Sequence, residues 1–379
     1  MPTDTAMYSA RRDWLAAAIR GDQPHWPEAP AGTVEDMLAV AEAEGVSALL
    51  DRVVRATDAA WVVPAEFTDA LAAAAHQQMM VDLFRRGELV RVMRVLSAAG
   101  IPALLLKGAA LSYWAYPAPY LRPREDADLL FPDTEAIECC KPVLAGLGYA
   151  ASNVPTTTAM AYQLVFRHDT ENGHIHWIDA HWALANSALY AGCLNFDELR
   201  AEAITLPGLG DDARGLGRIH ALMHACIHRV CNLPHGSGDR LIWLYDMDLL
   251  ARRCSAQDFD RLIDLAVQRG LAGACWDGLH SAIAAFATPL PKGLLKGLER
   301  ASRDEAFDIR KARRRWYQEW HNLRMLPVAK RWRWAWEKLF PHPAYMRELY
   351  SIDNRWSLGW VYLRRLGHGA WLTLRGNAH

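Results

Sequence analysis

Ile101-Pro102-Ala103-Leu104-Leu105-Leu106-Lys107-Gly108 and, eighteen positions after that glycine, Asp126-Ala127-Asp128-Leu129-Leu130-Phe131 are the two stretches that decide how this chain reads. The first is a short apolar run that stops at a tight turn, the pattern of a buried strand. The second predicts another strand, and its period of two sets Asp126 and Asp128 on one face. Two carboxylates on one face repel each other. A hard divalent cation between them removes that cost, because Mg²⁺ prefers oxygen ligands and keeps waters and phosphates in its shell. The bland alternative is a solvated acid pair in a loop, since Asp-x-Asp arises by chance in many chains.

The neighbours favour the first reading. Gly108 stands between a strand and a short predicted helix (109–115), where a glycine lets phosphate oxygens approach backbone N–H groups. Lys107 adds a point charge, and Arg122 and Arg124 lie just before the acids. A triphosphate with its metal needs this mixture of carboxylates and cations. For Lys107 and Arg122 taken singly, ordinary surface charge is the competing reading. Two more strands are expected at 162–168 and 174–181, joined by Glu171-Asn172-Gly173, whose Asn-Gly pair is a hairpin signal. In the second of these Asp179 shares a face with Ile175, Trp177 and His181. A lone acid in an apolar strand is costly unless paired or metal-bound, and a metal shared with Asp126 and Asp128 resolves that cost. With a helix expected from 133 to about 144, the centre of the chain reads as helices on one face of a mixed sheet.

Both flanks are helical in texture. Residues 64–98 place Leu71, Ala75, Met79, Leu83, Leu89, Val92 and Val95 at helical spacing, and Gly100 supplies a stop. After the Pro/Gly cluster Leu206-Pro207-Gly208-Leu209-Gly210, helices are expected over 213–231, 239–253, 257–269, 271–287, 291–300 and 302–324. The expected fold class is α+β, in three parts: a helical region over 1–99, a small mixed-sheet core over 100–206, and a helical region over 211–379.

Composition narrows the partners. The 379 residues carry 42 Lys and Arg against 43 Asp and Glu, so no global field points to nucleic acid or membrane. The seven cysteines contain no CxxC pair, the N-terminus lacks the apolar core of a signal peptide, and no apolar run is long enough for a spanning helix. The compartment reads as cytoplasmic.

In order along the chain, Leu106-Lys107-Gly108-Ala109-Ala110-Leu111, Tyr116-Pro117, Arg122-Pro123, Asp126-Ala127-Asp128-Leu129-Leu130, Gly148-Tyr149 and Asp179-Ala180-His181-Trp182 resemble the uncharacterised bacterial nucleotidyltransferase family of the DNA polymerase β superfamily. The likeness continues through His224-x-x-x-His228, Arg240-Leu241-Ile242-Trp243 and Asp246 to Phe340-Pro341-His342-Pro343-Ala344-Tyr345. The superfamily's turn is usually Gly-Gly or Gly-Ser where this chain has Gly108-Ala109, and the span to the acids is longer here. The resemblance implies NMP transfer from an NTP to an acceptor hydroxyl or phosphate, with Mg²⁺ or Mn²⁺ held by Asp126, Asp128 and Asp179. Asp126 and Asp128 would serve both metals, and Asp179 the catalytic one. Lys107, Gly108, Ala109, Arg122 and Arg240 would meet phosphate or nucleotide, with His181, His224 and His228 lining the cleft. Implied acceptors range from small molecules to peptides, proteins and RNA, and the near-zero charge weighs against long nucleic acid. The rival readings are phosphate transfer on the same site and a non-catalytic module that binds nucleotide or a partner.

Two features stand apart. His220, His224 and His228 share one helix face, open to three readings: a zinc site, cleft lining, or buried structural histidines. Arg313-Arg314-Arg315-Trp316-Tyr317 and Lys330-Arg331-Trp332-Arg333-Trp334-Ala335-Trp336 interleave basic and aromatic residues. Trp332, Trp336 and Phe340 fall at i, i+4, i+8, and such a stripe is more often core than a binding platform. Core packing is the expectation, with nucleic-acid or acceptor binding and a membrane surface as alternatives.

Overall fold

The computed structural model describes residues 2–28, 32–57, 61–151, 161–170, 173–341, 343–350 and 355–374. Glu171 and Asn172 of the expected hairpin turn, and His342, lie outside the described residues. The fold is α+β, as expected. Four helices come first, α1 (Pro2–Arg20), α2 (Val34–Ala43), α3 (Ser47–Ala56) and α4 (Ala65–Ala98). The mixed region then runs β1 (Leu104–Leu105), α5 (Lys107–Trp114), β2 (Asp126–Leu130), α6 (Thr134–Ala145), β3 (Ala150–Ala151), β4 (Gln163–Asp169), β5 (Ile175–His181), α7 (Phe196–Ala201), β6 (Ile204–Thr205) and β7 (Arg214–Gly215). Helices α8 (Arg218–Asn232), α9 (Leu241–Ala251), α10 (Ala256–Arg269), α11 (Ala272–Phe286), α12 (Leu294–Ser302), α13 (Arg315–Met325), α14 (Val328–Leu339), α15 (Pro343–Tyr350) and α16 (Arg355–Leu374) complete the chain.

The strands form one mixed sheet in the order β3-β4-β5-β2-β1-β7-β6. Strand β2 sits at its centre, parallel to β5 and antiparallel to β1. Alternation along these strands sends Leu129, Ile178, Ala180 and Phe166 into an apolar core closed by the C-terminal half of α4 (Leu89, Val92, Met93, Leu96) and by α6. The opposite face gives Leu104, Leu106 and Leu130 to a second core, shared with α1 to α3 and with α8 to α11. Helices therefore cover both faces, where one had been expected. The acids project from the second face, toward the C-terminal helices.

Local chemistry accounts for other departures. The strand expected from Ile101 is only Leu104–Leu105, because Pro102 has no N–H to give a ladder. The helix expected over 302–324 begins only at Arg315. Glu305 is drawn instead to the start of α11, where its carboxylate accepts the N–H groups of Ala272 (2.6 Å) and Gly273 (3.1 Å). It caps a helix that lacks a side-chain cap of its own. No helix among the described residues is long and apolar enough to cross a membrane.

Tryptophan builds the N-terminal layer. Trp14 meets Trp26 edge-on at 5.2 Å and stacks on Trp61 at 5.9 Å, and both Trp14 and Trp26 close on Phe67. Phe67 is fully buried. Phe67→Ala should therefore cost about 3–5 kcal/mol in urea unfolding, with the cavity confined to this layer; a cost under about 1 kcal/mol would mean that the aromatic cluster does not close the fold.

Candidate metal and nucleotide site

The site is assembled by strand register. In the parallel pair β2·β5, Asp128 lies directly opposite Asp179, and Asp126 opposite Trp177. Residues opposite each other in a ladder point to the same side, so Asp126, Asp128, Asp179 and His181 share one face. Asp128, Asp179 and His181 each bring a ligand atom within 4.8 Å of the others, which makes this trio the group able to hold a cation among the described residues. Asp126 extends the same face at its edge. The three expected acids lie on one face of the sheet, but the group close enough to hold a cation is Asp128, Asp179 and His181, with His181, expected only as cleft lining, in the place expected for Asp126.

Asp128 is almost fully buried. Its Oδ1 accepts from Lys107 Nζ at 2.5 Å and lies 2.9 Å from His181 Nε2. Burial by itself would raise its pKa, but Lys107 and His181 outweigh that and hold it well below the usual carboxylate range. The other two acids go the opposite way. Burial, followed by the charges of Asp128 and Asp179, pushes Asp126 up to about 6. Asp179 is raised by burial and by Asp128, although Gln163 Nε2 donates to its Oδ2 at 3.1 Å. One ammonium does not satisfy three carboxylates, and a cation placed among them would neutralise the charge that remains. The Nδ1 of His181 is buried without a hydrogen-bond partner, a further donor atom left over at this spot.

Lys107 comes to Asp128 through a strained turn. Its φ is +46°, in the left-handed region that costs a non-glycine residue about 1 kcal/mol or more. Lys107 is the first residue of α5, and its ammonium points back to Asp128 of β2. Gly108 sits close against Arg122: a Cβ there would meet Nη1 at 3.3 Å, and the guanidinium would have to give by a few tenths of an ångström. Gly108 and Ala109 are both buried in the first turn of α5.

The two arginines before β2 turn to opposite layers. Arg122 Nε and Nη2 donate to Asp246 of α9 at 2.7–3.0 Å, and Tyr116 Oη also donates to Asp246 at 2.6 Å. Burial would lower the pKa of Arg122, but Asp246 more than reverses that and fixes its charge. Arg124 Nη1 donates to Asp82 of α4 at 2.9 Å. The guanidinium expected to meet phosphate is therefore tied into a buried ion pair. Arg240 begins α9 with its Nε donating to the Ala43 carbonyl at 3.0 Å and its guanidinium over Trp243, which joins α9 to the end of α2.

The α8 histidines separate. His224 and His228 line a cavity with Lys107, Trp243 and Asp246. Burial, then the nearby Lys107 charge, lowers His224 to about 3 and His228 well below its ordinary value, so both are neutral. His220 is buried elsewhere, with Glu202 Oε2 at 3.9 Å. The zinc reading is not supported: among the described residues the three imidazoles do not converge. One residue escaped the sequence altogether. Arg85 of α4 lines a second cavity with Asp126 and Trp177, and nothing local to its helix marks it. Its field reaches Glu125 and Asp126.

The shift of Asp126 has a consequence for stability. Its folded pKa of about 6 exceeds the ordinary 3.8, so the folded protein holds this proton more tightly than the unfolded chain does. The ionised form opposes folding fully above about pH 6, and that penalty fades by pH 4. Without metal, Asp126→Asn should stabilise the protein by up to about 3 kcal/mol at pH 8 and by under about 1 kcal/mol at pH 4, read from urea midpoints. Equal gains at both pH values would mean that charge is not the cause.

No curated protein matches the chain. A model of the family described as "Uncharacterised nucleotidyltransferase" matches residues 30–287, which include every residue of the site described above. The chain belongs to this uncharacterised nucleotidyltransferase family.

Proposed function

We propose that this protein moves a nucleoside monophosphate from an NTP to an acceptor hydroxyl or phosphate, on a two-metal site of the polymerase β kind. The observation that carries the reading is the in-register pairing of Asp128 with Asp179, with Asp126 beside them and one lysine among the three. The donor set fits a hard cation: carboxylate oxygens dominate, and the imidazole of His181 orients one of them, the arrangement by which outer groups steer metal ligands. Asp126, Asp128 and Asp179 would hold Mg²⁺ or Mn²⁺. When bound, the ions would supply acidity to the acceptor hydroxyl and charge neutralisation to the phosphates.

The chain's own groups do the rest. The backbone N–H groups of Gly108 and Ala109, at the start of α5, present a donor surface to phosphate oxygens. Lys107 moves its ammonium between Asp128 and the triphosphate. Arg122 supports this turn from behind while held by Asp246, and Arg85, at the rim, meets the outer phosphates. Arg240 acts at a distance, by fixing α9 against α2. Neutral His224 and His228 offer hydrogen bonds without adding charge. The acceptor oxygen bonds to the α-phosphorus as the bond to the β-phosphate oxygen breaks. Pyrophosphate leaves, and the acceptor's proton passes to the Asp179 carboxylate, whose proton affinity is raised. The mixed-sheet region (100–206) carries the metal side, and the helical regions 1–99 and 211–379 close the cleft.

Pyrophosphate release should be seen with one or more of the four NTPs when small-molecule and peptide pools serve as acceptors. Asp179→Asn, which keeps an oxygen for Gln163 to donate to, should reduce release by more than about a hundredfold while the melting temperature holds. Product masses one NMP above the acceptor support the reading. A gain of one phosphate, or turnover unchanged in the variant, would overturn it.

A further inference from the structure

The Trp- and Arg-rich helices α13 and α14 do not pack as the stripe predicted. Trp332 is 78% exposed and Trp336 65%, and Val328 and Leu339 are exposed beside them. These four fall at i, i+4, i+8 and i+11, so one face of α14 presents indole and aliphatic groups to solvent. Arg333 lies at the edge of this face, paired with Glu337 at 2.9 Å, and Lys330 is exposed on the first turn of the same helix. Helix α13 is fastened to the body by its inner side: Gln318 Nε2 donates to the Val230 carbonyl, and Asn322 Oδ1 accepts from Ser187 Oγ and Leu189 N. Its outer side carries Trp316 and Trp320, both more than half exposed. Arg331 donates to the Leu326 and Arg324 carbonyls and so holds α14 against α13. The exposed face is thus displayed on a fixed support.

Charge identifies what fits it. Residues 313–379 hold 13 Lys and Arg against 4 Asp and Glu, and 8 of the 16 tryptophans, while the whole chain is balanced at 42 against 43. The rest of the protein is therefore acidic, and one end is strongly basic. We propose that α13 and α14 seat the protein on an anionic lipid surface, with the tryptophans at the headgroup boundary and the basic side chains on the phosphates. A surface of like positive charges opposes a second copy of itself. Val328 and Leu339 have no stacking use for bases but gain from an acyl layer. The acidic remainder would be repelled from the same lipid, which fixes the orientation of the bound protein. The family match ends at residue 287, so this surface lies outside the matched span, and the proposal uses no residue of the acid site.

The test is co-sedimentation of the full chain with vesicles of phosphatidylcholine alone and of phosphatidylcholine with phosphatidylglycerol. Binding should be about tenfold or more stronger to the anionic vesicles and should weaken with added salt. Trp332→Ala/Trp336→Ala should lose about tenfold of it at an unchanged melting temperature, since neither ring is buried, and Lys330→Glu should lose a smaller share. Three results would overturn the proposal: equal or absent binding to the two vesicle types, binding untouched by the tryptophan changes, or no vesicle binding together with tryptophan-dependent retention of oligouridylate or self-association.

Discussion

The register of one parallel strand pair organises this molecule. Because β2 and β5 run side by side with Asp128 opposite Asp179, carboxylates that are fifty-one residues apart in sequence share one face of the sheet. A slip of one residue would send one of the acids to the other face, into the apolar core under α4 and α6, at a desolvation cost that such a core does not sustain. Apolar alternation on the far side of the sheet thus fixes the register that the acid face needs. The resulting negative cluster is relieved only in part by Lys107, which is why burial and mutual repulsion raise Asp126 and Asp179 while Asp128, in contact with Lys107 and His181, is lowered.

The approach to β2 is braced from both sides. Arg122 reaches the C-terminal layer at Asp246 and Arg124 reaches α4 at Asp82, so the segment just before the acids is pinned between two helical layers. Buried pairs of this sort add little net stability, but removing one partner strands the other charge at a cost of about 3–5 kcal/mol. Their value lies in placement. Among the described residues, Lys107 then lies against Asp128 and Arg85 beside Asp126, while Arg122 packs against Gly108.

Much of this was legible in sequence wherever the signal was local. The apolar run into Lys107-Gly108, the Asp-x-Asp strand and the acid stranded in an apolar strand all depend on periods of two and on neighbours a few positions away. The strand of the paired acids and the two strands of the hairpin formed close to where expected, with Asp169 opposite Ile175 across the hairpin, while the run from Ile101 gave a strand of two residues only. The two-residue strands β3, β6 and β7 carry no periodic signal and were not foreseen. Side-chain pairing was not legible either. Arg122 with Asp246 spans 124 positions and His181 with Asp128 spans 53, and neither choice leaves a trace in spacing. The tryptophan stripe shows the same limit. Helical periodicity states that a face is apolar, and only tertiary packing decides whether that face is covered.

Titration of the metal-free protein with Mn²⁺, with the free ion followed by electron paramagnetic resonance, shows whether the β2·β5 acids hold a cation. Saturable loss of the free signal is predicted for the native chain. Replacement of both raised-pKa acids, Asp126→Asn/Asp179→Asn, should abolish that loss while the fold is retained. Saturable binding of equal strength in both proteins, or in neither, would mean that these acids do not hold the ion.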